Sequence, residues 1–90
     1  MNVRHLRELP PDYQKQLLDY IDDSYKLGTE EHTAYGLKQH FTSTHPNKDY
    51  HVTSECFKEA MEKIGYEAIP ITDASEPNWR FKLKLFRPID

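Results

Sequence analysis

The chain has 90 residues, of which 37% are hydrophobic and 30% are charged, a composition typical of one small globular domain rather than a disordered tail. Its net charge of −3 and pI of about 5.9 weigh against a domain that wraps duplex nucleic acid, and without a long apolar run we expect neither a membrane span nor a secretory signal. Because Cys56 is the single cysteine, no internal disulfide can form, and we expect a cytoplasmic, reducing location.

Residues 1–90 are predicted to form one domain, with a lead-in segment at 1–9 and a core over about 11–87. The first helix is expected to begin at Pro10-Pro11-Asp12, because proline suits the first helical turn and an acid there complements the helix dipole. Lys26 and Gly28 predict its end. Its apolar stripe consists of Leu17, Leu18, Ile21 and Tyr25.

A second helix is predicted from a cap at Thr29 or Thr33 to an end at Phe41 or Thr42. Gly36 interrupts its apolar pattern and indicates a close packing contact, since glycine is otherwise unfavourable inside a helix. Its apolar stripe consists of Ala34, Leu37 and Phe41.

A third helix is predicted after a loop and one short strand at Tyr50–Val52. Thr53 or Ser54 is its expected cap, and Gly65 is its expected end. Its apolar stripe consists of Cys56, Phe57, Ala60, Met61 and Ile64.

Two strands are predicted at the C-terminal end, Tyr66–Ile71 and Trp79–Phe86, joined by turn-forming residues. The order of elements is helix, helix, short strand, helix, strand, loop, strand. This order predicts an α+β fold of the winged helix-turn-helix type, in which three helices carry a small antiparallel sheet made of the short strand and the C-terminal hairpin.

Three stretches of the sequence carry a family likeness: "TAYGLKQHF" (Thr33–Phe41), "YHVTSECFKEAMEKIGY" (Tyr50–Tyr66) and "NWRFKLKL" (Asn78–Leu85). Over roughly Thr33–Leu85 the chain resembles small winged-helix-like domains of phages and mobile elements of Gram-positive bacteria, some of them appended to phage primase or helicase proteins. The resemblance implies a phage accessory protein associated with nucleic acid, and it supplies no catalytic residues.

The last predicted strand alternates apolar and basic residues, and the row of basic side chains on one side of it is the candidate nucleic-acid contact. We expect DNA, duplex or single-stranded, as the first candidate partner. The alternative for this row is a solvated strand face whose lysines discourage aggregation. The candidate contact residues are Arg80, Lys82, Lys84 and Phe86 on the strand, with Lys38, Arg4, Arg7, Lys58 and Lys63 elsewhere.

The surfaces with which a winged helix usually meets DNA are acidic in this sequence. The outward side of the third helix is predicted to hold three glutamates, at 55, 59 and 62, against Lys58 and Lys63. The loop between the last two strands holds Asp73 and Glu76 and no cation. A protein partner, a phage or host protein bound through the acidic helical surface of residues 8–31, is therefore the alternative function.

The sequence gives little support for a metal site or a catalytic site. His40, His45, His51 and Cys56 match no standard zinc spacing, and Cys56 lies on the apolar stripe of the third helix, so we predict a buried cysteine with surface histidines. No phosphate-binding glycine loop occurs. We therefore expect a non-enzymatic protein without metal or cofactor, and a homodimer through the first helix or the last strand is left open.

Overall fold

The computed structural model describes residues 2–73 and 75–85, in which three helices pack on a small antiparallel sheet. This confirms the α+β class and all three predicted helices. A short 3-10 turn at Leu6–Glu8 precedes the first helix. The elements are β1 (Asn2–Val3), α1 (Pro11–Ser24), β2 (Tyr25–Thr33), α2 (Ala34–Thr44), β3 (His51–Val52), α3 (Ser54–Ile64), β4 (Ile69–Pro70) and β5 (Trp79–Leu85).

The helix ends follow from local capping. The side chain of Thr33 accepts a hydrogen bond from the Gly36 N–H at 3.1 Å, so Thr33 and not Thr29 is the cap of α2. Thr53 caps α3 in the same way, since its side chain accepts from the Cys56 N–H at 3.2 Å. Gly65 ends α3 with φ of 120°, a conformation that residues with a Cβ rarely adopt.

The principal sheet is antiparallel with strand order β2-β5-β4, so β5 lies in the middle. Strand β2 was not predicted: Lys26 and Gly28 were interpreted as a helix end, yet residues 25–33 form the longest strand of the described chain. Two residues bulge from β2, because Leu27 and Glu30 both lie opposite Leu83.

The predicted composition of the sheet was wrong in one respect. The short strand β3 does not join the C-terminal hairpin; it pairs in parallel with β1, with Val3 opposite Val52. The third strand of the antiparallel sheet is β2 instead. The predicted Tyr66–Ile71 strand is also shorter, with only β4 paired to β5.

Residues 2–9, within the segment predicted as a lead-in, contribute side chains to the core. Val3, Leu6 and Leu9 are buried against the helices, and the Thr53 N–H and hydroxyl both donate to the Val3 carbonyl, at 3.3 and 2.7 Å. Glu59 of α3 accepts from the Leu6 N–H at 3.0 Å. One hydrophobic core includes these residues together with the inward sides of α1, α2, α3 and β5.

Candidate nucleic-acid interface

The predicted alternation of β5 is confirmed. Phe81 and Leu83 are fully buried, whereas Arg80, Lys82 and Lys84 are exposed. Because β5 is the central strand, its basic side chains project from the middle of the sheet, about 7 Å apart along the strand.

Strand β2 extends this surface in a way that the sequence did not predict. Side chains directly opposite each other in an antiparallel pair share one face of the sheet. Lys26 lies opposite Lys84, and Glu31 lies opposite Lys82. We call the surface of these residues the outer sheet face; its members are Lys26, Glu31, Thr33, Ile69, Arg80, Lys82 and Lys84.

The outer sheet face has a net charge of +3, from four cations against Glu31. Like charges placed directly opposite, as for Lys26 and Lys84, are unfavourable for sheet stability. Within residues 2–73 and 75–85, no carboxylate lies within ion-pair distance of Arg80, Lys82 or Lys84.

The other predicted contact residues differ in exposure and in the contacts that they make. Lys58 is paired with Glu62 at 3.3 Å, and its ammonium lies 5.0 Å from the centre of the Trp79 ring. Arg7 and Lys63 are exposed. Phe86, the predicted stacking residue, lies outside the described residues.

Helix α3 offers less surface than the sequence indicated. Two of its eleven residues, Glu62 and Lys63, are exposed. Glu59, predicted to face solvent, instead anchors the N-terminal segment: it accepts from the Leu6 N–H, and its other oxygen lies 2.7 Å from the His5 ring nitrogen. Burial alone raises the pKa of the Glu59 carboxyl, but these two hydrogen bonds, together with the electrostatic effects of His5 and Lys58, hold the pKa below its ordinary value.

Lys38 was predicted as a surface contact, and this is wrong, since only 6% of the residue is exposed. Its ammonium lies 4.7 Å from the centre of the Tyr35 ring. Burial lowers the pKa of Lys38, and the Glu76 carboxylate partly offsets this. The sequence did contain a signal, because positions 34, 37, 38 and 41 follow the spacing of a buried helix face.

Arg4 and Lys38 lie together, apart from the residues of the outer sheet face, around a cavity of about 520 Å³. We call it the α3 cavity because it opens at the N-terminus of that helix. It is lined by Asn2, Arg4, Tyr35, Lys38, His51, Thr53, Ser54, Glu55, Glu76 and Pro77.

The acidic side of the molecule lies at the end of α1. A groove of about 850 Å³ opens there, and α1 has no basic residue in its last turn to offset the negative end of the helix dipole. We call it the acidic groove; it is lined by Gln16, Asp19, Tyr20, Asp22, Asp23, Ser24 and His45. Glu30 and Glu31, which fall in the segment 8–31 predicted as an acidic helical surface, lie in β2 instead.

Cys56 is a buried packing residue, as predicted. It is fully buried in α3, and burial raises the pKa of its thiol to about 12, so it is a thiol and not a reactive thiolate at neutral pH. His40 and His51 are exposed, while His45 is half-buried and stacks on Phe41 with ring centres 5.1 Å apart. Within the described residues, no three His, Cys, Asp or Glu side chains are placed to hold a metal ion.

Comparison of the chain with protein-family models, with curated proteins and with solved structures found no match. No helix among the described residues has the length and apolar character needed to cross a bilayer.

Proposed function

We propose that the protein is a non-enzymatic winged-helix domain that binds nucleic acid through the outer sheet face. The observation that carries the proposal is the net charge of +3 on that face of a protein whose overall charge is −3. Segregation of cations onto one face concentrates positive potential there, which is the electrostatic requirement for contact with a phosphate backbone.

The topology supports the winged-helix part of the proposal. A strand between α1 and α2 pairs with the second strand of a hairpin that follows α3, giving the order β2-β5-β4. In such a fold the third helix commonly reads the major groove of DNA. Here α3 is largely covered and the hairpin loop carries Asp73 and Glu76, so we place the contact on the sheet instead.

The proposed biological setting is a phage or mobile-element accessory role in replication or regulation. This part rests on the resemblance of Thr33–Leu85 to winged-helix-like domains of phages. Backbone contact by lysine and arginine reads charge and not sequence, so we expect binding with little sequence preference.

The test is a fluorescence-anisotropy titration with labelled single-stranded and duplex DNA over a series of salt concentrations. Neutralising two phosphate contacts with Lys82→Gln and Lys84→Gln should weaken binding and reduce the slope of log affinity against log salt by roughly 1.4 for single strands and 1.8 for duplex. The matched control is Lys15→Gln with Lys48→Gln, which removes the same charge from two exposed positions elsewhere. Binding that is absent, insensitive to salt, or equally weakened by the control pair would overturn the proposal.

A second candidate function is the binding of a phage or host protein through the acidic groove. The specific observation is that Asp19, Asp22 and Asp23 line one groove at the negative end of the α1 dipole. A basic segment of a partner would neutralise this charge. Affinity capture from the native host with the wild-type protein, and with Asp22→Asn and Asp23→Asn, tests it: a partner lost only in the variant supports this function, and no specific partner contradicts it.

A further inference from the structure

Strand β2 is an edge strand of the principal sheet. The strand order is β2-β5-β4, and within residues 2–73 and 75–85 no strand pairs with the outer edge of β2. The opposite edge strand, β4, has two residues and contains Pro70, which blunts an edge because proline donates no backbone hydrogen bond. Strand β2 has nine residues and no proline. It is therefore the edge of this sheet that can accept a further strand.

The two signs of charge lie on opposite halves of β2. On the outer sheet face Lys26 lies before the bulge and Glu31 lies after it. Within one chain Lys26 is opposite Lys84, a like-charge pair that disfavours the sheet, whereas Glu31 is opposite Lys82. A second copy of β2 in antiparallel orientation would bring a carboxylate beside each Lys26.

The faces of the two strands limit the registers of such a pair. Positions 25, 27, 30 and 32 of β2 lie opposite inward residues of β5, and positions 26, 31 and 33 lie opposite outward ones. With a two-fold axis between positions 28 and 29, position 25 lies opposite 32 of the partner, 26 opposite 31, and 27 opposite 30, so every pair shares a face.

Charge selects this register among those that match the faces. A slip of one residue places inward positions opposite outward ones. A slip of two residues keeps the faces matched but places Lys26 opposite a threonine, the partner's Thr29 or the partner's Thr33, according to its direction. The register with Lys26 opposite the partner's Glu31 forms two symmetric ion pairs, and the others lose both.

We propose that two copies of the protein pair through the outer edges of β2, antiparallel about a two-fold axis, with Lys26 of each copy opposite the partner's Glu31. The contact is isologous, so each copy contributes the same residues. Each Lys26 then lies between its own Lys84 and the partner's Glu31, which offsets the like-charge pair. The two principal sheets become one continuous sheet.

The basic rows of the two copies do not oppose this arrangement strongly. The two β5 strands are separated by three strand spacings, about 14 Å, which exceeds the Debye length of about 8 Å at physiological salt. The contact between two edges is small, and interfaces below about 1,200 Å² are weak. We therefore expect a reversible dimer whose population rises with protein concentration.

The dimer does not depend on nucleic-acid binding, although it would join the two outer sheet faces and double the charge of +3 that each one carries. The first measurement is sedimentation equilibrium of the wild-type protein alone over a range of concentrations. The weight-average mass should rise from that of the monomer towards that of the dimer. A protein that stays monomeric up to about 1 mM would overturn the proposal.

Charge reversal followed by mixing tests the register. Lys26→Glu and Glu31→Lys each turn two attractive pairs into two repulsive pairs, so each variant alone should dimerise about tenfold or more weakly. An equimolar mixture of the two variants should recover the dimer, because both symmetric pairs are then attractive again. The matched controls are Lys48→Glu and Glu67→Lys, which reverse exposed charges elsewhere and should dimerise as the wild type does.

Stability measurements separate loss of the dimer from damage to the fold. Lys26→Glu removes the like-charge pair with Lys84, so the monomer should be at least as stable in urea unfolding, while its dimer is weaker. This result decides the question even if Glu31→Lys, which places a lysine opposite Lys82, does not fold. Wild-type dimerisation of Lys26→Glu, a mixture of two folded variants that stays monomeric, or equal weakening by the controls would contradict the register.

The variant with Lys82→Gln and Lys84→Gln should still dimerise, since neither residue belongs to the edge of β2. Loss of nucleic-acid binding in that variant with the dimer retained supports both proposals separately. A dimer that disappears in that variant would contradict pairing through β2.

Discussion

Gly28 is the position where a single methyl group tests the pairing of β2 with β5. A Cβ built on Gly28 would lie 2.8 Å from the Lys84 Cβ, 2.9 Å from the Lys84 backbone nitrogen and 3.0 Å from the Leu83 carbonyl carbon. Two of these three atoms belong to the backbone of the central strand. They cannot move aside as the end of a flexible side chain would, so Gly28→Ala requires the bulge to shift.

The magnitude follows from two opposing effects. Overpacking typically costs about 1–3 kcal/mol, while replacing glycine by alanine restricts the unfolded chain and returns about 0.4–1 kcal/mol. We expect a net loss of about 1–2 kcal/mol, which for a domain of this size lowers Tm by roughly 5–15 °C.

The assay is urea unfolding followed by circular dichroism, with thermal unfolding as a second measurement. The matched control is Gly36→Ala, where the nearest atom to an added Cβ is the Thr33 hydroxyl oxygen at 3.2 Å and helix propensity favours alanine. Gly36→Ala should therefore be much less destabilising than Gly28→Ala. An unfolding midpoint for Gly28→Ala at or above the wild-type value would refute the close approach of β2 to β5.

Three further predictions concern single substitutions. Gly65→Ala should destabilise the protein by about 1–2 kcal/mol. The cost comes from the backbone φ of 120°, which alanine rarely adopts, and not from a clash, because no atom lies within 4 Å of the added Cβ; equal stability in urea unfolding would contradict this. Glu59→Gln should lower the free energy of unfolding at pH 7. This loss should shrink as the pH falls below 4.5, the ordinary pKa of the group, because a carboxyl whose pKa is lowered in the folded state stabilises that state only while it is ionised. A loss that does not change with pH in unfolding titrations would contradict the prediction. Tyr25→Phe should leave stability unchanged or raise it by up to about 1 kcal/mol. The reason is that the Tyr25 hydroxyl is buried near Tyr20 without a well-formed hydrogen bond to any described residue. A clear loss of stability in urea unfolding would contradict this and reveal a hydrogen-bond partner of the hydroxyl.

The helices could be predicted because their signals are local. The burial of Leu17 and Ile21 follows from their spacing, and the same holds for Phe57, Ala60 and Met61 on α3. Thr53 caps the beginning of α3 by a hydrogen bond, and Gly65 ends the helix by its backbone conformation; both effects depend on residues close in sequence. The buried side of β5 could also be predicted from the sequence, because Phe81 and Leu83 alternate with lysines.

Strand β2 could not be predicted in this way. Within Tyr25–Thr33 only Tyr25 is buried, and both sides of the strand carry polar residues, so no alternation of period two appears. These residues are extended because β5 lies beside them and supplies hydrogen-bond partners. The contribution of Lys26 to the outer sheet face was missed for the same reason.

The sequence by itself determined the existence of the three helices, the end of α3 at Gly65 and the division of β5 into an apolar and a basic side, because each depends on spacing along one segment. Only the tertiary structure decided which charges share a surface. It brought Lys26 beside Lys84 through strand pairing, and it left Lys38 only 6% exposed, beside a cavity that residues distant in sequence also line. It also turned Glu59 from a surface charge into an anchor for the N-terminal segment. Burial and charge proximity depend on contacts between segments, and a single segment does not encode them.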